Sequence, residues 1–232
     1  MVETSEAGNI GAAARAMKNM ALSRLYLVKP KNFPSAVATA RASGADDVLS
    51  NAIVCESLIQ ALDGCHLVIG ASARQRSIKW QQLDVVESCS LIDKTLKTQD
   101  QEVAIIFGTE NAGLTNEQLD LCQVLMTIPG NPDYFSLNIA QAIQVFSYQL
   151  FVQFQQKSVI NEEVKNLASF KELENFYQHL EKVMLEIDYV DKTKPIEKLI
   201  RRIRALFNRA LPLKDEVAIL RGFLTQVEKI RK

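Results

Sequence analysis

The chain has 232 residues, 47% of them hydrophobic, and its 27 Lys+Arg are balanced by 27 Asp+Glu. That length suits one large α/β unit with a smaller appendage and supplies ample apolar sequence for a core. Zero net charge excludes nucleic-acid binding through bulk charge, so any RNA surface has to be local, and no apolar run approaches a membrane span. Cys55, Cys65, Cys89 and Cys122 are spaced too widely for a C-x-x-C zinc or redox pair, with only His66 and His179 to assist, so no metal site is expected. Free thiols without a secretory leader fit a reducing cytoplasm.

Residues 9–20 place Ile10, Ala13, Ala14, Met17 and Met20 at helical spacing. Short apolar runs follow at 25–28, 67–70, 103–107 and 125–128, separated by segments long enough for crossover helices. Such alternation predicts an α/β fold with a mostly parallel sheet buried on both faces. Ligands of such sheets gather at the carboxyl edge. A long helix is expected over 137–154, carrying Ile139, Ile143, Phe146, Leu150 and Phe154. Its aromatic residues Phe146, Phe151 and Phe154 suit either core burial or a dimer seam.

Polar residues from Gln155 onward predict a linker over 155–170, which divides the chain into a domain of residues 1–154 and a helical extension of residues 171–232. Three helical stripes occupy the extension: Leu173, Phe176, Leu180, Val183 and Ile187; then Ile196, Leu199, Ile203, Leu206 and Phe207; then Val217, Leu220, Leu224 and Val227. Pro195 suits a first helical turn, and Asp215 and Glu216 favour the start of the last helix. Residues 194–232 hold 11 Lys+Arg against 4 Asp+Glu, an excess hidden by the neutral total. Arg201, Arg202 and Arg204, with Arg209, are expected off the apolar stripe, as either an RNA-phosphate surface or a solvated basic face. Neither internal repeats nor low-complexity tracts are evident.

Three loops carry the chemistry. The stretch from Ile128 through Pro129, Gly130 and Pro132 to Ala142 runs from a strand through a Gly/Pro turn into a helix, with Ser136 able to cap the first turn and Asn138 projecting from it. The second, Phe107-Gly108-Thr109-Glu110-Asn111-Ala112-Gly113-Leu114, also leaves a strand end. The first, Gly8-Asn9-Ile10-Gly11, lacks the G-x-G-x-x-G spacing of a dinucleotide fingerprint, and Arg15 follows Asn9 among alanines. Arg15 can meet a substrate phosphate or be a solvated helix charge; Glu110 can accept from a ribose, hold Arg15 or be a surface charge.

In this order the three loops resemble the motifs of the SpoU branch of the SPOUT RNA methyltransferases, over about residues 3–150, closest to TrmJ-type tRNA (cytidine/uridine-2′-O-)methyltransferases. The resemblance implies a trefoil-knotted domain, a homodimer with sites near the subunit seam, S-adenosyl-L-methionine as cofactor and a tRNA substrate, with nucleotide 32 of the anticodon loop as the expected target. Ribosomal RNA as substrate and a noncatalytic RNA-binding protein on the same scaffold are the alternatives; no DNA partner is expected. Residue by residue it places Ala71, Ser72, Ala73, Gly108, Ile128, Phe135, Ser136 and Leu137 at the cofactor, and Asn9, Arg15, Glu110, Ser136 and Asn138 beside the reacting groups. Arg74 and Arg76, after the Ser72 loop, join Arg201, Arg202 and Arg204 as candidate RNA contacts. An arginine, with a pKa above about 12, is a poor base, so orientation and charge stabilisation are the expected role of Arg15. The family's first strand starts ahead of Val2; here either the start is short or the sheet lacks part of a central strand.

Overall fold

A computed structural model describes residues 1–73, 81–97, 100–155, 166–189 and 196–230. In chain order the elements are α1 (Ala7–Asn19), β1 (Tyr26–Val28), α2 (Ala36–Ala42), α3 (Asp46–Ser50), β2 (Ile53–Cys55), α4 (Leu58–Leu62), β3 (Leu67–Ala71), β4 (Gln81–Asp84), α5 (Val85–Leu96), β5 (Val103–Ile106), α6 (Asn116–Leu119), β6 (Val124–Thr127), α7 (Ile139–Gln155), α8 (Phe170–Glu186), α9 (Ile196–Ala210) and α10 (Lys214–Ile230).

Four strands form a parallel sheet in the order β4-β6-β3-β5, and β1 and β2 form a second parallel pair. Residues 1–3 join the two ladders. The Val2 amide donates to the Phe107 carbonyl at 2.8 Å, Glu3 donates to Val28 at 2.8 Å, and Val28 donates to Met1 at 2.9 Å. Strands β1, β3, β5 and β6 lie where their apolar runs predict, whereas β2 and β4 were not expected. The first has three residues, two of them exposed, and the second is a polar edge strand of Gln81, Gln82, Leu83 and Asp84.

Alternate residues of β3 point into two cores, as a strand covered on both faces requires. Leu67 and Ile69 pack with α1, α5 and α7, while Val68 packs with Leu62, Leu119, Cys122 and Leu125 on the other side. Within the first core α1 crosses α2 at backbone contact: a Cβ on Gly11 would lie 2.0 Å from the Ala38 carbonyl oxygen. The second glycine of the first loop therefore serves helix packing. Helix α7 buries Phe146 edge-on against Phe107, with ring centroids 6.2 Å apart. Phe151 is half-buried and Phe154 is exposed, together with Val145 and Tyr148 on the same helix.

Residue Gln155 closes α7, and residues 166–169 already pack against the helical extension: Ala168 donates to the Pro212 carbonyl at 2.9 Å, and Lys214 to Asn166 at 3.0 Å. Most of the expected linker, and Pro195, lie outside the described residues. Ser169 and Glu172 form a reciprocal capping box at the start of α8, satisfying two free amides. Helices α8, α9 and α10 then enclose Leu173, Phe176, Tyr177, Val183, Val217 and Leu224.

The packed face of α9 differs from the expected stripe. Leu206 is exposed, and the helix turns Ile200, Arg204 and Asn208 inward at four-residue spacing. The Arg204 guanidinium is gripped by both Glu174 oxygens, with Nη2 to Oε2 at 3.0 Å, and stacks 4.5 Å above the Tyr177 ring. The Tyr177 hydroxyl donates to Asn208 Oδ1 at 2.7 Å, and Asn208 Nδ2 donates to the Cys122 carbonyl at 2.9 Å. Arg201 pairs with Asp120 at 2.6 Å. These contacts fasten the extension to the loop between α6 and β6. Two of the four arginines expected to lie off the packed stripe, Arg201 and Arg204, are thus engaged inside the protein, while Arg202 and Arg209 are exposed.

Candidate functional site

The carboxyl ends of β3, β5 and β6 open side by side, and the chain leaving them forms one crevice. Ala71, Ser72 and Ala73 supply one wall, Gly108 and its loop a second, and Ile128 with Phe135, Ser136 and Leu137 a third. All eight residues expected at a cofactor therefore meet in one place. The floor is apolar, made by Leu114, Met126, Ile128 and Ala142, and the rim carries Thr109, Glu110 and Ser136.

Each wall is held by its own backbone. Ser72 donates to the Met126 carbonyl at 3.0 Å, tying the β3 loop to β6. Thr109 and Gly113 exchange backbone hydrogen bonds at 3.2 and 2.9 Å, so the second loop folds back on itself. A Cβ on Gly108 would lie 2.2 Å from the Gly113 carbonyl carbon, and Gly113 has φ +69°, so both positions call for glycine. Phe107, Thr109 and Leu114 of the second loop also line the crevice, as do Met126, Ile139 and Ala142, which were not expected there; as strand and helix residues their apolar pattern signals only core.

Beside the crevice a chain of hydrogen bonds links the three loops. Glu110 Oε1 accepts from the Glu6 amide at 3.2 Å and from Asn9 Nδ2 at 3.1 Å, while Oε2 accepts from the amide and hydroxyl of Ser5. Asn9 Oδ1 in turn accepts from Asn138 Nδ2 at 3.0 Å, and Asn138 Oδ1 caps α7 through the Ala140 amide at 2.9 Å. Asn138, rather than Ser136, is thus the helix cap; Ser136 is exposed on the crevice rim. Glu110 is committed to the start of α1, and among the described residues no ion pair joins it to Arg15.

Partial burial pushes the Glu110 carboxyl up, but the hydrogen bonds from Asn9, Ser5 and Glu6 outweigh it and hold the group below its ordinary value. A carboxylate depressed in this way stabilises the fold above its unfolded pKa, and that contribution is lost as pH falls through the lower folded value. Glu110→Gln is therefore expected to lower the urea midpoint at neutral pH, with the gap to the parent narrowing as the pH drops below the ordinary carboxylate range. A gap constant with pH would contradict the charged role.

Arg15 stands apart from this network. It is exposed on α1, in an open crevice shared with Arg41 of α2 and Gln144 of α7. Arg74 and Arg76 lie outside the described residues. Among the described residues no group of three His, Cys, Asp or Glu could hold a metal ion, and no helix is long and apolar enough to cross a membrane. The thiols are shielded: burial pushes Cys89 up to about 12 and Cys65 up to about 11.

Residues 1–148 match the model of the SpoU rRNA Methylase family, so the chain belongs to the SpoU methylases. Residues 171–232 match the C-terminal domain of the tRNA methyltransferase TrmJ, which makes it a TrmJ-type member. It is similar to the tRNA (cytidine/uridine/adenosine-2′-O-)-methyltransferase TrmJ of Pseudomonas aeruginosa (strain UCBPP-PA14), 44% identical over 100% of this chain and 93% of that protein. The tRNA (cytidine/uridine-2′-O-)-methyltransferase TrmJ of Sodalis glossinidius is 43% identical over 100% of this chain and 91% of its own length. Among solved structures, TrmJ from Z. mobilis ZM4 superposes with a TM-score of 0.84 at 31% identity, covering 98% of this chain and 96% of that one.

Proposed function

We propose that the protein transfers a methyl group from S-adenosyl-L-methionine to a ribose 2′-hydroxyl of tRNA, with nucleotide 32 of the anticodon loop as the target. The observation that carries this reading is the single crevice formed by the ends of β3, β5 and β6, which gathers every residue expected at the cofactor. The names of the full-length relatives support tRNA as the substrate class, and the TrmJ-type extension supports tRNA over ribosomal RNA.

The residues present fit the cofactor. An apolar floor of Leu114, Met126 and Ile128 suits an adenine ring, and the walls are largely main chain and small side chains, which recognise by shape and backbone hydrogen bonds. When bound, the cofactor supplies a methyl group on a sulfonium, an electrophile that needs no metal. Asn138 and Glu110 set the position of the third loop and of α1 through Asn9, so alignment is built into the fold. Arg15 orients the acceptor nucleotide and stabilises charge as the 2′-oxygen loses its proton.

Arg15 is not on the wall of its own chain's cofactor crevice. A knotted homodimer joined along α7 accounts for this, because Gln144, beside Arg15, lies one turn from the exposed Tyr148, and Val145 is exposed next to them. Arg202 and Arg209, exposed on α9, are the RNA contacts of the extension; Arg201 and Arg204 orient that helix against the catalytic domain. A tRNA-modifying role also suits the cytoplasm. The test is methyl labelling: purified protein with labelled S-adenosyl-L-methionine is expected to label tRNA and leave ribosomal RNA unlabelled. Label confined to ribosomal RNA would replace the substrate, and no label in either would favour a noncatalytic scaffold.

A further inference from the structure

We propose that Arg41 is a second phosphate-binding residue, paired with Arg15 to grip one phosphodiester of the RNA backbone. The proposal rests on the RNA substrate argued above and adds a site to it. Arg15 and Arg41 open from adjacent helices into one crevice of about 500 Å³ that is separate from the cofactor crevice. Its walls are small or polar: Ala12, Ala16 and Ala40 leave room, and Ser43, Asn19 and Gln144 supply hydrogen-bonding groups.

Both guanidiniums are exposed, and among the described residues neither has an acidic partner. The contrast with Lys18, one turn further along α1, is informative. Its ammonium is neutralised by Asp47 at 2.7 Å and also donates to the Gly44 carbonyl at 3.0 Å. Positive charge on this face is therefore concentrated at the two arginines. Two like charges in one crevice repel, and an anion between them reverses the sign of that interaction. Planar guanidinium forks suit the paired oxygens of a phosphodiester. The stem of Arg41 runs close to Gly8 of α1, with Cγ 3.7 Å from where a Cβ would stand, which keeps the two arginines on one face.

The experiment measures tRNA affinity across a salt titration for the parent, Arg41→Ala and Arg41→Lys, with Arg24→Ala as a control of equal charge change at a residue already paired with Glu102. Arg41→Ala is expected to weaken tRNA binding about tenfold and to lower the salt slope by about one unit, as loss of one phosphate contact requires. Arg41→Lys should fall between, and Arg24→Ala should keep the parent slope. S-adenosylhomocysteine affinity should be the same in all four proteins, and the kinetic loss in Arg41→Ala should fall on KM more than on kcat. Parent-like tRNA binding and slope in folded Arg41→Ala would overturn the proposal, as would an equal slope change in Arg24→Ala. The parent's own methyl transfer separates the two readings: an inactive parent removes the enzymatic function, whereas an active parent matched by Arg41→Ala removes only this site.

Discussion

Replacing Arg15 with alanine is expected to reduce methyl transfer by at least about a hundredfold while leaving S-adenosylhomocysteine affinity within about twofold of the parent. The residue is exposed on α1 and takes no part in the hydrogen bonds that hold the cofactor crevice, so its removal disturbs neither that wall nor the core. The Ala12 and Ala16 side chains around it are small, so no packing is lost that could mimic a catalytic defect. Isothermal titration with S-adenosylhomocysteine and single-turnover methyl transfer separate the two quantities. Near-parent turnover would show Arg15 to be a solvated helix charge.

The largest expected loss of stability comes from Gly11→Ala. One methyl group there would stand 2.0 Å from the Ala38 carbonyl oxygen and 2.8 Å from its carbon, both backbone atoms that cannot swing aside. Alanine ordinarily stabilises a helix interior relative to glycine by about 1 kcal/mol. Here the separation of α1 from α2 should exceed that gain and cost about 3 kcal/mol net, at the upper end for inserting a methyl group into a packed core. The substitution also moves the face that carries Arg15 and Arg41, so tRNA affinity should fall with stability. Urea unfolding measures the first; an unfolding midpoint at or above the parent's would contradict the close crossing.

Much of this architecture is legible in the amino-acid sequence, for physical reasons. Long periodic segments such as those of α1, α7 and α8 announce a buried face, and four of the six strands are continuous apolar runs. β2 and β4 escape because Ile53–Cys55 is too short to show a period and Gln81–Asp84 is an edge with little to bury. The place of the crevice is legible because the strands end beside glycine and proline, whereas the residues on its walls follow from the family resemblance. The hydrogen-bond chain through Glu110, Asn9 and Asn138 is not, since it joins residues 101 and 129 positions apart that no local pattern couples. Helix α9 shows the opposite error. Counting apolar residues places Leu206 inside and Arg204 outside, whereas a guanidinium that has a carboxylate and an aromatic ring to meet is packed more completely than a leucine facing solvent.

Asn208 illustrates how the extension depends on polar complementarity. Its amide bridges the Tyr177 hydroxyl to the carbonyl of Cys122, so one side chain couples α8 and α9 to the loop that leads into β6, the strand that ends at the crevice. The basic surface on α9 is thereby held in a set direction relative to the catalytic domain.

In the proposed reaction the ribose 2′-oxygen of a tRNA nucleotide is the methyl acceptor, and replacing that oxygen tests it most directly. Labelled methyl transfer is compared between a tRNA transcript with an ordinary ribose at nucleotide 32 and one with 2′-deoxyribose at that single position. Label is expected at nucleotide 32 in the first and none there in the second, with both tRNAs bound equally well. Label persisting at nucleotide 32 in the 2′-deoxy tRNA would contradict 2′-oxygen chemistry.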